Sequence, residues 1–409
     1  MVEQLTARDR AAEARYRLWQ MLDQPWDLVV IGGGITGAGV LLEAARMGYR
    51  AVLLEQRDFA WGTSSRSGKL VHGGLRYLRH GQVRLTWQSV RERERLLREA
   101  PGLVLPLGIV FPDFRGAPVS GRLLRLGLVI YDVMAMRWGH RRCSPPELQG
   151  IFPHVRIRDL KGGLWYRDAV TDDARLVLRV IREAERRGAL ALNYARVHEL
   201  RRTHSGRVEG VAVRDLLTGR TAEVKARVVV NAAGIWADEV RAWLGRAPRL
   251  RLLRGSHLVF PAWRLPVSQG INLFHPVDGR PLYVLPWDGV TLVGTTDLDY
   301  EGELAAEPAI TPAELDYLLT AANYLFPSLG LSEKDVLATF SGVRGVVGTG
   351  RKDPSRESRE HAIWAEGIIT VAGGKLTTFR ILALDALRRA LEQLGPPRLD
   401  RRRASPPAG

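Results

Sequence analysis

The stretch from residue 27 to 55, DLVVIGGGITGAGVLLEAARMGYRAVLLE, restricts the fold of this chain more than any other. A short apolar run feeds directly into Gly32-x-Gly34-x-x-Gly37, a helical pattern follows over 36–47, and Gly48 closes it. A second apolar run, 51–54, ends in Glu55. Strand, glycine turn, helix, strand and an acid roughly 20 residues past the glycines is the order of a dinucleotide-binding βαβ unit. Gly32 permits the tight turn, Gly34 lets the backbone approach a pyrophosphate, and Gly37 lets helix and strand come close. The helix start offers N–H groups to phosphates. Glu55 is placed to accept hydrogen bonds from a ribose, and its charge disfavours a 2′-phosphate there. The alternative is a glycine-rich structural turn.

The 409 residues, 45% of them apolar, are enough for a large core in two closely joined domains. Cys143 is the only cysteine, which excludes an internal disulfide or a cysteine-based metal cluster and suits a reducing compartment. No metal site is expected. The first 24 residues are charged throughout and lack the apolar segment of a secretory signal. No apolar run reaches the roughly 18 residues of a membrane span. The formal charge is +16, yet only six of the 60 basic residues are lysine, a bias that reflects genome composition as much as a polyanionic partner. Nucleic acid is not expected as a partner. A positive field draws an anionic substrate or an anionic membrane surface. The expected location is cytoplasmic, with peripheral contact on the inner face of the cell membrane left open.

Residues 1–24 read as an amphipathic, arginine-rich helix on the outside of the first domain. After the βαβ unit, AWGTSSRSGKLVHGGLRYL concentrates Ser64, Ser65, Lys69, His72, Arg76 and Tyr77 with little apolar periodicity. Such a segment reads as the wall of a site, against the alternative of a solvated basic loop. Helices are expected at 83–99, at 122–142 with apolar residues on one face and arginines on the other, at 172–187, and at 311–326 with Thr311 as N-cap and Pro312 at N1. The 122–142 helix suits either ordinary packing or a membrane surface. Strands are expected at 103–115, 191–197, 208–215, 221–230 and in several short runs between 250 and 300. Residues 145–153 read as a turn region, and 350–360, GRKDPSRESRE, as a charged, Pro-interrupted loop. The run from Asn231 to Gly234 opens a buried strand into a small-residue loop. A last strand runs into Gly373-Gly374-Lys375-Leu376-Thr377 and a terminal helix. Residues 396–409 have the composition of a disordered tail.

GGGITGAG followed by GTSSRSGKLVHGGLRYL resembles the FAD-dependent glycerol-3-phosphate dehydrogenase family. The segments around Tyr166, Arg254-Gly-Ser-His257, Gly294-Thr-Thr-Asp297, Ser341-Gly-Val-Arg344 and Gly373 to Arg380 repeat the resemblance in order. It implies an α/β fold, with a Rossmann-like FAD-binding domain (25–100, 165–245 and 340–395) and an antiparallel-sheet substrate domain (101–164 and 246–339), as in amino-acid oxidases. It implies FAD held by Gly32, Gly34, Gly37, Glu55, Thr63, Ser64, Ser65, Lys69, His72, Val197, Ala233, Gly234, Gly374, Lys375, Leu376 and Thr377. A reduced flavin carries negative charge near N1 and O2, which the helix start at 374–377 and the Lys375 cation would stabilise.

The implied substrate is sn-glycerol 3-phosphate, oxidised at C2 to dihydroxyacetone phosphate with hydride passing to flavin N5. Its phosphate would meet Arg344, Lys375 and Arg359, and Arg76 and Tyr77 would line the same pocket. His257 is the expected base, since an imidazole titrates in the useful range, against the alternative of a hydrogen-bonded structural histidine. Electrons would pass to a quinone, and a homodimer is left open.

Three departures from the family pattern stand out. Members commonly carry a further C-terminal helical domain, whereas this sequence stops soon after the helix containing Arg380; that role is expected to be absent or supplied by another subunit. Gly345 follows Arg344 where proline is usual, which is expected to loosen a turn. Phe379 stands where tyrosine is usual. The alternatives are a related flavin oxidase of an amine or hydroxy acid, which would need a carboxylate clamp, and a flavin-binding module without turnover. No long insertion interrupts the substrate domain, which favours a dehydrogenase over an oxidase.

Overall fold

Two sheets divide the chain between them in the computed structural model, which describes residues 7–75, 78, 81–117, 119, 121–348 and 361–395. The first forms around Trp26–Ile31 and Ala51–Leu54, whose side chains are all buried. Uninterrupted apolar runs of this kind suit parallel strands covered on both faces. Trp26–Ile31 lies between Ala51–Leu54 and Thr221–Asn231, and Ile369–Gly373 and Leu190–Leu192 extend the parallel set on either side. His361–Ala365 closes one edge antiparallel. Thr221–Asn231 is long enough to serve twice: its second half joins the parallel sheet, and its first half pairs antiparallel with Val208–Asp215, which in turn pairs with Ala195–Arg202.

Helices Ile35–Arg46, Asp173–Arg186 and Phe379–Leu394 cover one face of this sheet through a shared apolar core that includes Leu41, Val177 and Leu387. The opposite face packs with Trp19, Leu22 and Val240. The helix Ala7–Gln20 is held to the outside of this layer, where Arg15 pairs with Asp215 at 2.8 Å and donates to the Asn193 carbonyl.

The second sheet runs Leu298–Asp299, Leu250–Pro261, Val290–Gly294, Pro281–Trp287, Gly270–Phe274, Val104–Phe114, Leu160–Thr171 and Leu70–Val71, with Ala338–Val347 on Leu250–Pro261 and Arg141–Cys143 on Leu160–Thr171. One face packs on the helix Pro312–Leu325, whose start carries a complete capping box between Thr311 and Glu314. Leu258, Phe260, Leu282 and Val284 point that way. Their strand neighbours Val259, Tyr283 and Leu285 point to the other face, as the two-residue period of a strand requires.

Several elements differ from the sequence reading. Residues 145–153 are not a turn: Pro145–Ile151 is a short helix, because Ser144 accepts from the Glu147 N–H as N-cap and proline is tolerated in the first turn. The run 191–197 breaks at Tyr194, whose φ of 50° ends one strand and starts the next. The domain boundaries at 165 and 340 shift, since Leu160–Thr171 and Ala338–Val347 both pair into the second sheet, and pairing partners are not written in a strand's own composition. Gly345 loosens no turn, because it lies inside the ladder opposite Leu252. Phe379 is buried against Gly39, in an apolar core where a tyrosine hydroxyl would need a partner. The helix at 122–142 spans Gly121–Ala135 and has apolar residues on two sides. The segments at 350–360 and 396–409 fall outside the described residues.

The segment 63–71 is tied to the first sheet's helices by a buried ion pair. Lys69 Nζ donates to Asp173 Oδ1 at 2.6 Å and to the Ser65 carbonyl at 2.7 Å. The other Asp173 oxygen accepts from the Ser67 hydroxyl and N–H. Both side chains are almost inaccessible. Asp173→Ala is expected to destabilise the fold by about 3–5 kcal/mol, because it leaves a buried ammonium uncompensated. Urea denaturation of the two proteins measures the difference.

Candidate active site

The nucleotide end of the site is built on backbone contacts that exclude side chains. Gly32 has φ of 108°, and a Cβ there would lie 2.6 Å from the Ala232 carbonyl oxygen. A Cβ at Gly37 would lie 1.9 Å from the Gly32 oxygen. The helix Ile35–Arg46 starts at Gly34 with no cap from its own N-cap side chain. Ser64 Oγ accepts from the Ile35 N–H at 2.9 Å instead, bringing the 63–65 segment to the helix start. The N–H groups of Thr36 and Gly37 belong to the first turn, where no intrahelical acceptor exists. They and the partial positive charge of the helix end are the complement of a pyrophosphate.

Glu55 ends the second strand and binds back to this turn. Its carboxylate accepts from the Gly33 N–H at 2.6 Å and the Arg57 N–H at 2.7 Å. Burial raises its pKa, and the N–H groups of Arg57 and Gly33 oppose that shift. Two carboxylate oxygens have about four lone-pair sites, which leaves capacity for ribose hydroxyls. The 231–234 loop lies against Gly32, with the Ala233 N–H bound to Asn231 Oδ1 at 3.2 Å. A cradle of glycines, an N-terminal helix end and a carboxylate at this spacing fits a dinucleotide such as FAD.

The reaction end lies on the second sheet, where one row of residues crosses four strands. Phe340 is opposite His257, His257 opposite Gly294, and Gly294 opposite Tyr283. The glycine is the gap that lets the row close. A Cβ at Gly294 would lie 2.2 Å from His257 Cδ2, and without one His257 Nε2 reaches the Tyr283 hydroxyl at 2.8 Å. Phe340 stacks on the other side of the imidazole, with centroids 4.5 Å apart and planes at 12°. Burial, then the positive charges of Arg344 and Lys69, hold the His257 pKa down to about 3. Burial likewise pushes the Tyr283 hydroxyl far above its usual range.

Arg344 stands beside this row. Its guanidinium faces Asp297 at 3.4 Å and donates to the Thr296 carbonyl at 3.1 Å, so the Gly294 to Asp297 motif orients it. Close packing of Gly255 makes room, since a Cβ there would lie 1.9 Å from an Arg344 nitrogen. Thr63 joins the two ends of the site by donating to the Val343 carbonyl at 2.5 Å. His72 N–H donates to Thr377 Oγ1 at 3.2 Å, linking the second segment to the loop after Gly374. Lys375 Nζ donates to Ser89 Oγ at 2.6 Å, and Leu376 and Thr377 open the turn that leads into Phe379–Leu394.

Most of the residues singled out from sequence therefore meet around two adjoining surfaces. Ser65 bonds within its own turn, to the Trp61 and Gly62 carbonyls. Lys69 is engaged in the pair with Asp173 and contributes to the site as a nearby charge. Val197 sits in the core of the antiparallel extension, paired with Val213. Arg76, Tyr77 and Arg359 fall outside the described residues. The sequence reading passed over Tyr283, Phe340 and Ser89. The alternation in Pro281–Trp287 places Tyr283 on the face of His257 once the pairing is known; Ser89 carries no such signal.

The low His257 pKa has a consequence for stability. An unfolded histidine titrates near 6.5 and the folded one near 3, so the unfolded chain binds more protons between those values and acid favours unfolding. From pH 7.5 to 5 the wild type is expected to lose about 2 kcal/mol more than His257→Gln. Urea midpoints at the two pH values give the difference, and carboxylate titrations common to both proteins cancel.

Comparison with known proteins gives the same reading. Residues 27–380 match the family described as FAD dependent oxidoreductase. The aerobic glycerol-3-phosphate dehydrogenase of Staphylococcus haemolyticus (strain JCSC1435) is 39% identical over 381 residues, which is 91% of this chain and 68% of that protein. The enzyme of the same name from Staphylococcus aureus (strain USA300) is 39% identical over 88% of this chain and 66% of its own length. The chain thus spans about two thirds of these relatives. Among solved structures, the glycerol-3-phosphate dehydrogenase from Bacillus halodurans complexed with FAD superposes with a TM-score of 0.77 at 34% identity, covering 94% of this chain and 68% of that one. The L-alpha-glycerophosphate oxidase from Mycoplasma pneumoniae, at 17% identity and a TM-score of 0.70, shares the fold. A nucleotide cradle on one sheet, a histidine–arginine cluster on the other and this degree of identity lead to one assignment: the chain belongs to the FAD-dependent oxidoreductase family and, within it, to the glycerol-3-phosphate dehydrogenases.

Proposed function

We propose that this protein oxidises sn-glycerol 3-phosphate to dihydroxyacetone phosphate, with FAD as its cofactor and a quinone as the final electron acceptor. The observation that carries the reading is Arg344, a partly exposed guanidinium fixed by Asp297 and Thr296 beside the buried His257. A forked, pre-oriented donor is the complement of a phosphate, and an arginine already held in place loses less freedom on binding it. Lys375 adds a point charge.

Bound FAD supplies a hydride acceptor at N5. The chain's own residues handle charge and the proton. The C2 hydroxyl proton leaves as hydride departs from C2, and the His257–Tyr283 pair receives it. His257 is neutral at physiological pH, which is the form a base needs. The charge of Arg344 opposes the imidazolium that would result, and a phosphate dianion seated on Arg344 offsets that charge. Substrate binding and base strength are thereby coupled through one guanidinium. Gly32, Gly34, Gly37 and Glu55 would hold the nucleotide, with Thr63, Ser64 and Ala233–Gly234 around it, and the 374–377 turn would face the flavin ring.

Anaerobic mixing with glycerol 3-phosphate is expected to bleach the flavin band near about 450 nm, the absorbance of the oxidised cofactor. Arg344→Ala is expected to raise the substrate concentration needed for half-maximal bleaching by about 100-fold, the loss of a charge-assisted bidentate contact. His257→Gln should leave that concentration nearly unchanged and slow bleaching about 10²- to 10⁴-fold. Unbleached wild-type flavin would refute the substrate assignment.

A further inference from the structure

The reaction row on the second sheet has a buried polar counterpart on the sheet's other face. Ser256 precedes His257 in Leu250–Pro261, and Ser341 follows Phe340 in Ala338–Val347, so each points away from the substrate side. The two serines are opposite each other in the ladder, with their hydroxyls 2.8 Å apart. The pairing of Leu250–Pro261 with Val290–Gly294 ends at Gly294, opposite His257. One step beyond, the Ser256 N–H donates to a side chain, Thr296 Oγ1, at 2.8 Å. Ser256, Thr296, Ser341 and Glu314 are each 2% exposed or less.

Glu314 joins these groups. It stands at the third position of the helix Pro312–Leu325, where a capping box engages one carboxylate oxygen. That oxygen, Oε2, accepts from the Thr311 N–H at 3.0 Å and hydroxyl at 2.9 Å, and faces Arg254 Nη2 at 2.8 Å. Helix capping leaves Oε1 unaccounted for, and Oε1 accepts from Thr296 Oγ1 at 2.7 Å and Ser256 Oγ at 2.9 Å. The single Ser256 hydroxyl proton is thereby committed, so Ser341 is the donor between the serines. Burial raises the Glu314 pKa, and the donors from Thr296, Thr311 and Ser256 outweigh it, so the carboxylate titrates below its ordinary value. The charged form only accepts, which is what two hydroxyl donors require.

We propose that Glu314 is a positioning residue for the substrate's phosphate, acting through Thr296 on Arg344. The Thr296 carbonyl accepts from Arg344 Nη2 at 3.1 Å, and its hydroxyl is the one that Glu314 holds. One residue thus carries both the rear anchor and the front acceptor, and Asp297, the other partner of Arg344, follows it in the chain. A guanidinium whose acceptor is fixed loses less freedom when an anion seats on it. The inference rests on the reading above that Arg344 seats the phosphate of glycerol 3-phosphate.

The test is titration of the FAD-loaded protein with inorganic phosphate, read from the perturbed flavin spectrum, alongside anaerobic bleaching by glycerol 3-phosphate. Glu314→Gln and Thr296→Val are each expected to weaken phosphate binding about 10-fold and to raise the half-bleaching concentration by the same factor. Bleaching at saturation should stay within about twofold of wild type, since the lost contact serves binding and not the chemical step. In Arg344→Ala, adding Glu314→Gln should raise the half-bleaching concentration no further. Thr311→Val removes the cap and leaves the Oε1 contacts in place, so it should lower the urea midpoint without changing phosphate affinity. Unchanged phosphate affinity in Glu314→Gln and Thr296→Val, an undiminished effect of Glu314→Gln in the Arg344→Ala background, or a Thr311→Val protein weakened as much as Glu314→Gln would overturn the proposal. So would phosphate binding that Arg344→Ala leaves intact. If Glu314→Gln does not fold, Thr296→Val decides by itself, because it leaves the Arg254–Glu314 pair and the cap untouched. Phosphate binding that depends on Arg344, in a protein whose flavin glycerol 3-phosphate does not bleach, would count against the substrate alone.

Discussion

Everything at the nucleotide end depends on how closely the first helix approaches the first strand. With the Gly32 carbonyl 1.9 Å from where a Gly37 Cβ would sit, no other residue fits at position 37 without moving the backbone. That approach aims the start of Ile35–Arg46 across the end of the parallel strands, where Glu55, Ser64 and the 231–234 loop converge on it. A small displacement of the helix start would break the Ser64–Ile35 contact and disturb the Glu55–Gly33 contact beside it. The constraint is steric, whereas the interaction it serves is electrostatic.

The second sheet solves a different problem, that of holding a histidine neutral beside two cations. Burial alone disfavours imidazolium, and Arg344 and Lys69 add to the effect. Stacking on Phe340 and the bond to Tyr283 fix the ring without supplying a carboxylate that would raise its pKa. Among the described residues no carboxylate pairs with His257, and a bound phosphate would bring a negative charge to the guanidinium beside it. Asp297 orients Arg344, and Asp173 compensates Lys69, so each cation has its own structural carboxylate.

The βαβ unit and its glycines were legible because spacing alone encodes them: two apolar runs, three glycines and Glu55 have one good explanation. The same holds for the capped helix at Pro312, where Thr311 marks the start. The role of Lys69 was not legible, since its carboxylate partner lies 104 residues away. Neither was Tyr283, whose importance comes from Gly294 lying between it and His257. The helix at 122–142 suits either packing or a membrane surface, because periodicity identifies a face without saying what covers it. Strand pairing across the sheets is long-range information, which explains the shifted boundaries at 165 and 340.

The row from Phe340 to Tyr283 also sets an order of assembly. The nucleotide turn needs Trp26–Ile31, Ala51–Leu54 and Thr221–Asn231, all of which precede residue 232. His257 acquires its stacking partner only when Ala338–Val347 joins the ladder on Leu250–Pro261. During synthesis the chain emerges from its N-terminus, and N-terminal parts fold first. The strands that carry the nucleotide turn have thus all emerged before the stacking partner of the base, whereas the helix Phe379–Leu394 that covers them emerges last.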